Sequence, residues 1–263
     1  MKASMNALKL RVVLSGLVGA SALLLAPGTA HAIEFGTPAS EHPYHSPQNF
    51  AFELRFSPYY PQVDDEPGLT KDENGNGPFA AAFGGGARFY IGLELDWQTF
   101  RIPYVGTIGP GLSAGRVGMS RQATTKQTGR PSGDEYSLVI YPFSLNAVLR
   151  ADALWRDRGF PVVPYGKLGL GMGLWEASTT GGTSEFQGVK GKGTTWGTNT
   201  ALGIMFALDS IDQGATRNMD NAIGINNTYL YAEYYWLSLN GLAQDHALYV
   251  GSSSWAAGLA FEF

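Results

Sequence analysis

The sequence predicts an all-β fold, an eight-stranded antiparallel up-and-down transmembrane β-barrel, and three observations carry that reading. Eight segments alternate apolar and polar residues with period two, and an even strand number suits a closed up-and-down barrel. The connections between the segments alternate in character, long and polar at one end, mostly shorter at the other. The final stretch, WAAGLAFEF (255–263), has an apolar residue at every second position and finishes on Phe263.

The first 32 residues read as a signal peptide that is cleaved after Ala32. Lys2, Lys9 and Arg11 precede an apolar run over 12–26, and Ala30-His31-Ala32 supplies the small residues of a signal peptidase site. The run is about 15 residues, short of the roughly 20 that a bilayer-crossing helix needs. Residues 33–47, rich in Pro and His, read as a periplasmic tail, and 48–263 as one barrel domain without internal repeats. The cysteine count of 0 excludes disulfides, a lipid-modified cysteine and cysteine metal sites. Loss of residues 1–32 removes three basic residues and no acidic one, taking the net charge from −4 to −7. An acidic exported chain argues against nucleic acid as a partner.

Each strand follows from its alternation. NFAFELRF (49–56) sets Phe50, Phe52, Leu54 and Phe56 on one face and Ala51, Glu53 and Arg55 on the other. ARFYIGLELDWQ (87–98) sets Phe89, Ile91, Leu93, Leu95 and Trp97 against Arg88, Tyr90, Glu94, Asp96 and Gln98. The third segment, 104–120, is Gly-rich, with Ile108, Leu112 and Ala114 in one parity. The fourth, 136–152, is expected to be irregular at Pro142, which has no N–H for the ladder. VPYGKLGLGMGLW (163–175) sets Leu168, Leu170, Met172 and Leu174 against Tyr165, Lys167, Gly169, Gly171 and Gly173. The sixth, 196–208, has Thr198, Leu202, Ile204 and Phe206 on its apolar side. In the seventh, 228–236, Glu233 shares a face with Tyr229 and Tyr231, and the eighth is the terminal stretch. The long connections are 57–86, 121–135, 176–195 and 237–249; the others are 99–103, 153–161 and 209–226, the last with room for a short helix.

Which face looks outward decides between a membrane barrel and a lipocalin-like soluble carrier. The polar faces combine ions with small residues, as in Lys167 beside Gly169, Gly171 and Gly173, which suits a narrow filled lumen. A water-washed exterior would carry Lys, Glu and Thr instead. Aromatics also gather near strand ends: Tyr59, Tyr60, Trp175, Trp196, Trp236 and Trp255 toward one rim, Trp97, Trp155 and Phe263 toward the other, as two interfacial girdles would. In lipid every backbone polar group needs a partner, so the last strand is expected to close on the first. Trp255, Leu259, Phe261 and Phe263 resemble the C-terminal signal read by the outer-membrane assembly machinery of Gram-negative bacteria.

LRFSPYYPQVDDE (54–66), YIGLELDWQ (90–98), YPFSLNAVLRADALW (141–155), PYGKLGLGMGLW (164–175) and GINNTYLYAEYYW (224–236) resemble the motifs of a myxobacterial-type (deltaproteobacterial) outer-membrane β-barrel domain family. The resemblance spans nearly all of 48–263. It implies a small barrel of undefined function, in a family where a His often stands at the position of Asn227.

Candidate chemistry is sparse. GLSAG (111–115) matches G-x-S-x-G, and Asp245 and His246 follow, yet that motif works only where a strand turns sharply into a helix. DENGNG (72–77) imitates the start of a calcium loop, with Asp64, Asp65 and Glu66 nearby, but position twelve is Phe83 where a Glu should be. A solvated acidic loop is the simpler reading of 64–76, with a specific calcium site completed by Asp64, Asp65 and Glu66, or divalent bridging to lipopolysaccharide, as the sharper ones. His42 and His45 lack further metal ligands. No catalytic residue, cofactor site or metal site is therefore assigned. The inward ions Glu53, Arg55, Arg88, Glu94, Asp96, Lys167, Glu233 and Glu262 are expected to pair across the lumen as a plug, because an eight-stranded barrel is about wide enough for side chains to fill.

Together these readings place the chain in the Gram-negative outer membrane, both termini periplasmic, in contact with lipid and lipopolysaccharide. The role expected is structural, or surface interaction through extracellular loops with a ligand the sequence does not name. A narrow pore for small solutes or ions is the first rival. A lipid or ester hydrolase using Ser113 and His246 is the second.

Overall fold

The computed structural model describes residues 33–34, 48–124, 131–186, 188–211, 213–242 and 247–263. The expected signal peptide, most of the tail with His42 and His45, and the Asp245-His246 pair lie outside the described residues.

Eight strands form the wall: β1 Phe50–Tyr59, β2 Arg88–Trp97, β3 Gly106–Thr124, β4 Pro131–Arg150, β5 Val162–Thr179, β6 Lys192–Ala207, β7 Asn227–Ser238 and β8 Ser252–Glu262. Each pairs antiparallel with the next, and β8 pairs with β1 over Ala257↔Phe56 to Glu262↔Ala51. The sheet therefore has no free edge around this circuit and is a closed up-and-down barrel. Register fixes its geometry. Ala51 leads through successive partners to Asp96, Gly111, Asn146, Gly169, Asn199, Leu237 and Ser252. The Gln62 N–H donates to Gly251 O at 3.0 Å in the same β8–β1 register, so the circuit comes back to Pro61, about ten residues beyond its start. A stagger of about ten residues over eight strands tilts them by roughly 40° to the barrel axis.

The alternation sorts into faces as the sequence predicts. Leu202 and Leu168 on the outer wall are 61% and 65% exposed, whereas Glu53 and Glu233 are 0% exposed inside. The outer face is a belt of Phe56, Leu93, Leu112, Leu145, Leu170, Ile204 and Leu230 with their neighbours. Above it, toward the loop end, the outward positions of β3 to β6 turn polar: Arg116, Ser120, Ser137, Glu176, Thr194 and Lys192.

Four expectations need correction. The connection 121–135 is largely strand, because β3 runs to Thr124 and β4 starts at Pro131, with a register shift between Gln122 and Thr124. Polar residues such as Gln122 and Glu135 pair above the belt without any apolar alternation to announce them. Similarly, 176–195 carries the end of β5, a short hairpin of Glu185–Phe186 with Val189–Lys190, and the start of β6. The connection 153–161 holds an unexpected helix α2, Ala153–Arg158, ended by Gly159 at φ 68°. The connection 237–249 is not wholly outside: Leu239 is buried and its segment folds down into the lumen.

Pro142 acts as expected but locally. Pairing with β5 continues through Pro142↔Gly173, while on the β3 side no pair forms between Ala114↔Phe143 and Val117↔Ile140, and the register is kept. The connection 209–226 contains helix α3, Gln213–Ile223, as its length allowed. In the first long loop a short helix α1, Pro78–Phe83, is held by Asp64, whose carboxylate accepts from the Phe79 and Ala80 N–H groups at 2.7 and 2.8 Å.

Candidate functional site

The lumen is the candidate site, and it is stacked in tiers. At the loop end an apolar cluster of Tyr59, Tyr90, Val117, Ile140, Leu239 and Val250 closes the bore. The glycines of β5 explain how. A Cβ on Gly173 would lie 2.8 Å from Val250 Cγ2, and one on Gly171 would lie 2.9 Å from Leu239 Cδ2. The Tyr59 hydroxyl donates to Val250 O at 2.5 Å and ties that segment to β1.

Below this lid lies the ionic tier. Glu53 and Glu94 face each other in register on β1 and β2, like charges that repel on neighbouring strands. Lys167 reaches them from β5, its Nζ 2.6 Å from Glu53 Oε2, 2.7 Å from Glu94 Oε2 and 3.6 Å from Glu233 Oε2. Arg55 pairs with Glu233, sits 4.0 Å from Glu94, and lies over the Tyr235 ring at 4.6 Å. Arg150 spans β4 to three other strands: it donates to Glu53 at 2.7 Å, pairs with Asp96, and stands 3.6 Å from Glu262. Among the described residues this tier sets five buried carboxylates against three cations, so each cation serves two or three acids. Neutral donors share the excess. Glu262 also accepts from Gln98 at 2.7 Å, Tyr229 at 2.8 Å, Asn227 at 3.2 Å and Gln48. Asn146 donates to Glu94 at 3.4 Å and accepts from Asn199 at 2.9 Å.

Seven of the eight ions named from sequence, Glu53, Arg55, Glu94, Asp96, Lys167, Glu233 and Glu262, meet here. Arg88 does not. It has the inward parity but stands at the loop-end start of β2, where its guanidinium donates to the carbonyls of Phe83 at 2.5 Å and Gly86 at 2.7 Å. Arg150 was missed, although it alternates with Leu149 and Ala147 and so carried a parity signal. The girdles also change. Tyr60, Trp196, Trp236, Trp255, Trp97 and Phe263 face outward, whereas Tyr59 and Trp175 pack with the apolar lid and Trp155 turns in to donate to Asn227 at 3.2 Å. Tyr59 shares the parity of Glu53, and Trp175 that of Lys167, so alternation outranks the aromatic's interfacial preference.

What the lumen can do chemically is limited. Two cavities among the described residues, one by Arg55, Tyr90, Ser113 and Asn199 and one by Asp96, Gln98 and Arg150, are each about 10 Å³, room for a single water. Ser113 stands inside β3 rather than at a strand-to-helix elbow, and its Oγ is 2.5 Å from Ser144 Oγ. The acidic loop is likewise occupied. Asp64 caps α1, and Asp72 accepts from the N–H groups of Asn76 and Asn74, both at 2.8 Å, with the Asn76 bond foremost in holding its carboxyl below the usual range. Phe83, at the twelfth position of the imagined calcium loop, packs against Phe79 with the rings tilted and their centroids 5.3 Å apart.

At the turn end, beyond β4, burial pushes the Asp152 carboxyl up to about 6, against the attraction of Arg156 at 3.2 Å. A raised carboxyl favours the fold fully below pH 3.8, and that contribution is lost as pH rises through about 6. Relative to the parent, Asp152→Asn is expected to gain up to about 3 kcal/mol of stability across that window. Urea unfolding of both proteins in detergent at several pH values checks it, and a gap that stays constant with pH refutes it.

No family model matches the sequence, and no curated protein matches it. Among solved structures the chain is similar to Ail, the attachment invasion locus protein of Yersinia pestis, determined with a heparin analogue: 13% identity, 82% of this chain and 97% of that one, TM-score 0.40. It is also similar to the outer membrane protein OprG of Pseudomonas aeruginosa (12%, 83% and 97%, TM-score 0.44). A third is the N-terminal β-barrel domain of OprF from the same organism (14%, 82% and 98%, TM-score 0.38). At these identities and scores nothing about role passes from them, and the barrel assignment rests on the strand pairing above.

Proposed function

We propose that the chain is an integral outer-membrane barrel with a side-chain-plugged lumen that works structurally, or through its extracellular loops, without catalysis. The observation that carries the reading is the pairing of an apolar outer belt with cations that bridge the lumen from wall to wall. In hydrocarbon that belt is solvated and the closed sheet leaves no unpaired backbone edge. A lone interior charge would cost several kcal/mol, so the ions are tolerable only as a connected network. In this reading residues 1–32 are removed on export, both termini are periplasmic, and the turn end is the periplasmic end. The partners are lipid and lipopolysaccharide around the belt, and the assembly machinery through Trp255, Leu259, Phe261 and Phe263. The quoted motifs support kinship with the myxobacterial-type barrel family.

Planar bilayer recordings on refolded protein test the plug. A quiet membrane is expected at protein levels where insertion is verified by heat-modifiable gel migration. Steady discrete conductance steps would sink the plugged reading in favour of a pore.

A further inference from the structure

We infer that Asn76 is a site of spontaneous deamidation, and that its conversion to an aspartyl or isoaspartyl residue unfastens the first long loop. The site lies outside the eight strands, so it does not depend on what surrounds the barrel. In an Asn-Gly pair the glycine nitrogen, unshielded by any Cβ, can attack the asparagine side-chain carbonyl carbon. The new C–N bond closes a succinimide ring, and the amide nitrogen leaves as ammonia with the proton given up by the glycine N–H. Water then opens the ring at either carbonyl, giving a carboxylate side chain or an isoaspartyl link that runs the main chain through the side-chain carbons.

The sequence holds three such pairs, Asn74-Gly75, Asn76-Gly77 and Asn240-Gly241, and all three asparagines are exposed. What separates them is the glycine N–H. That of Gly75 donates to Asp72 O at 2.9 Å and that of Gly241 to Trp196 O at 2.8 Å. A committed N–H is harder to deprotonate and points at its acceptor instead of the neighbouring amide. Among the described residues the Gly77 N–H has no such acceptor. Asp64 lies against Gly77, but its two carboxylate oxygens take the Phe79 and Ala80 N–H groups at 2.7 and 2.8 Å. A Cβ on Gly77 would stand 2.3 Å from Asp64 Cγ, so the glycine that makes the pair labile is also the one that lets Asp64 cap α1. The Asn76 side-chain amide donates to Asp72 Oδ2 at 3.2 Å, an exposed bond that water replaces at little cost.

Asp72 is the clasp that conversion opens. Its N–H donates to Asn76 O at 2.8 Å, and its carboxylate accepts from the Asn76 N–H at 2.8 Å, the bond foremost in keeping that carboxyl ionised. Conversion sets a second carboxylate beside this charge, where the amide had donated, and an isoaspartyl link also lengthens the chain before Gly77.

Refolded barrel in detergent is kept in mildly alkaline buffer beside the same chain in urea. Trypsin then releases peptides 72–88 and 218–263 from the denatured samples, and fragment masses locate the amide-to-acid change at each asparagine. In urea the three pairs are expected to convert at similar rates. In the barrel Asn74 and Asn240 are expected to slow at least several-fold, while Asn76 keeps most of its unfolded rate. Asn76 slowed as much as the other two, or outpaced by Asn74 in the barrel, overturns the assignment. Loop release is read by limited trypsin cleavage after Lys71 in intact barrels whose folding is verified by heat-modifiable migration. Cleavage is expected to be several-fold faster in Asn76→Asp than in Asn76→Ala, and equal cleavage in the two overturns the release.

Discussion

Replacing Lys167 with alanine is expected to destabilise the barrel by about 3–5 kcal/mol, the usual cost of leaving a buried charge without its counterion. The magnitude follows from position. Lys167 Nζ lies within 2.7 Å of both Glu53 and Glu94, which face each other in register, and among the described residues no other cation is so close to both. Removing it leaves two carboxylates opposed inside a closed sheet. Urea unfolding in detergent, followed by the heat-modifiable gel shift, reads the loss as a lower midpoint. The triple variant Lys167→Met with Glu53→Gln and Glu94→Gln should recover much of the stability, because removing all the charges removes the desolvation penalty as well. A Lys167→Ala barrel as stable as the parent would mean that water reaches these acids and that the plug is open.

The second large effect concerns the opposite wall. Leu202→Arg, at an outward position in the belt, is expected to cost about 2–4 kcal/mol in a bilayer, against about 0–1 kcal/mol for Thr194→Arg beyond Trp196 on the same strand. Leu202 is 61% exposed and touches no lumen group, so the difference reports only what surrounds the barrel. Folding from urea into phospholipid vesicles measures it. Equal costs at the two positions would contradict a hydrocarbon surround. A soluble carrier would tolerate both arginines, since each already faces outward.

The two substitutions also separate what was legible in the chain from what was not. The wall was readable because side chains on a strand alternate by local geometry alone: Phe50, Phe52 and Leu54 against Ala51, Glu53 and Arg55 sort themselves before any partner is known. Where alternation weakened, so did the reading. Beyond Met119 and Leu138 the ends of β3 and β4 are mostly polar, and such strand ends look like loops in sequence. Helix α2 is only six residues, too few for a helical period to emerge. Arg88 and Arg150 show the limit within the lumen itself. Both have inward parity, but one stands at the mouth among backbone carbonyls and the other at the centre of the ionic tier.

Sequence by itself determined the strand count and the outward and inward faces, because each depends on chemistry repeated within a few residues. Only the tertiary structure decided who meets whom. Which cation reaches which acid across the bore is set by a stagger that exists only once the sheet has closed. The same closure placed Leu239 and Val250 over the β5 glycines and turned Trp155 inward. Parity is a property of one strand; height in the barrel belongs to all eight together.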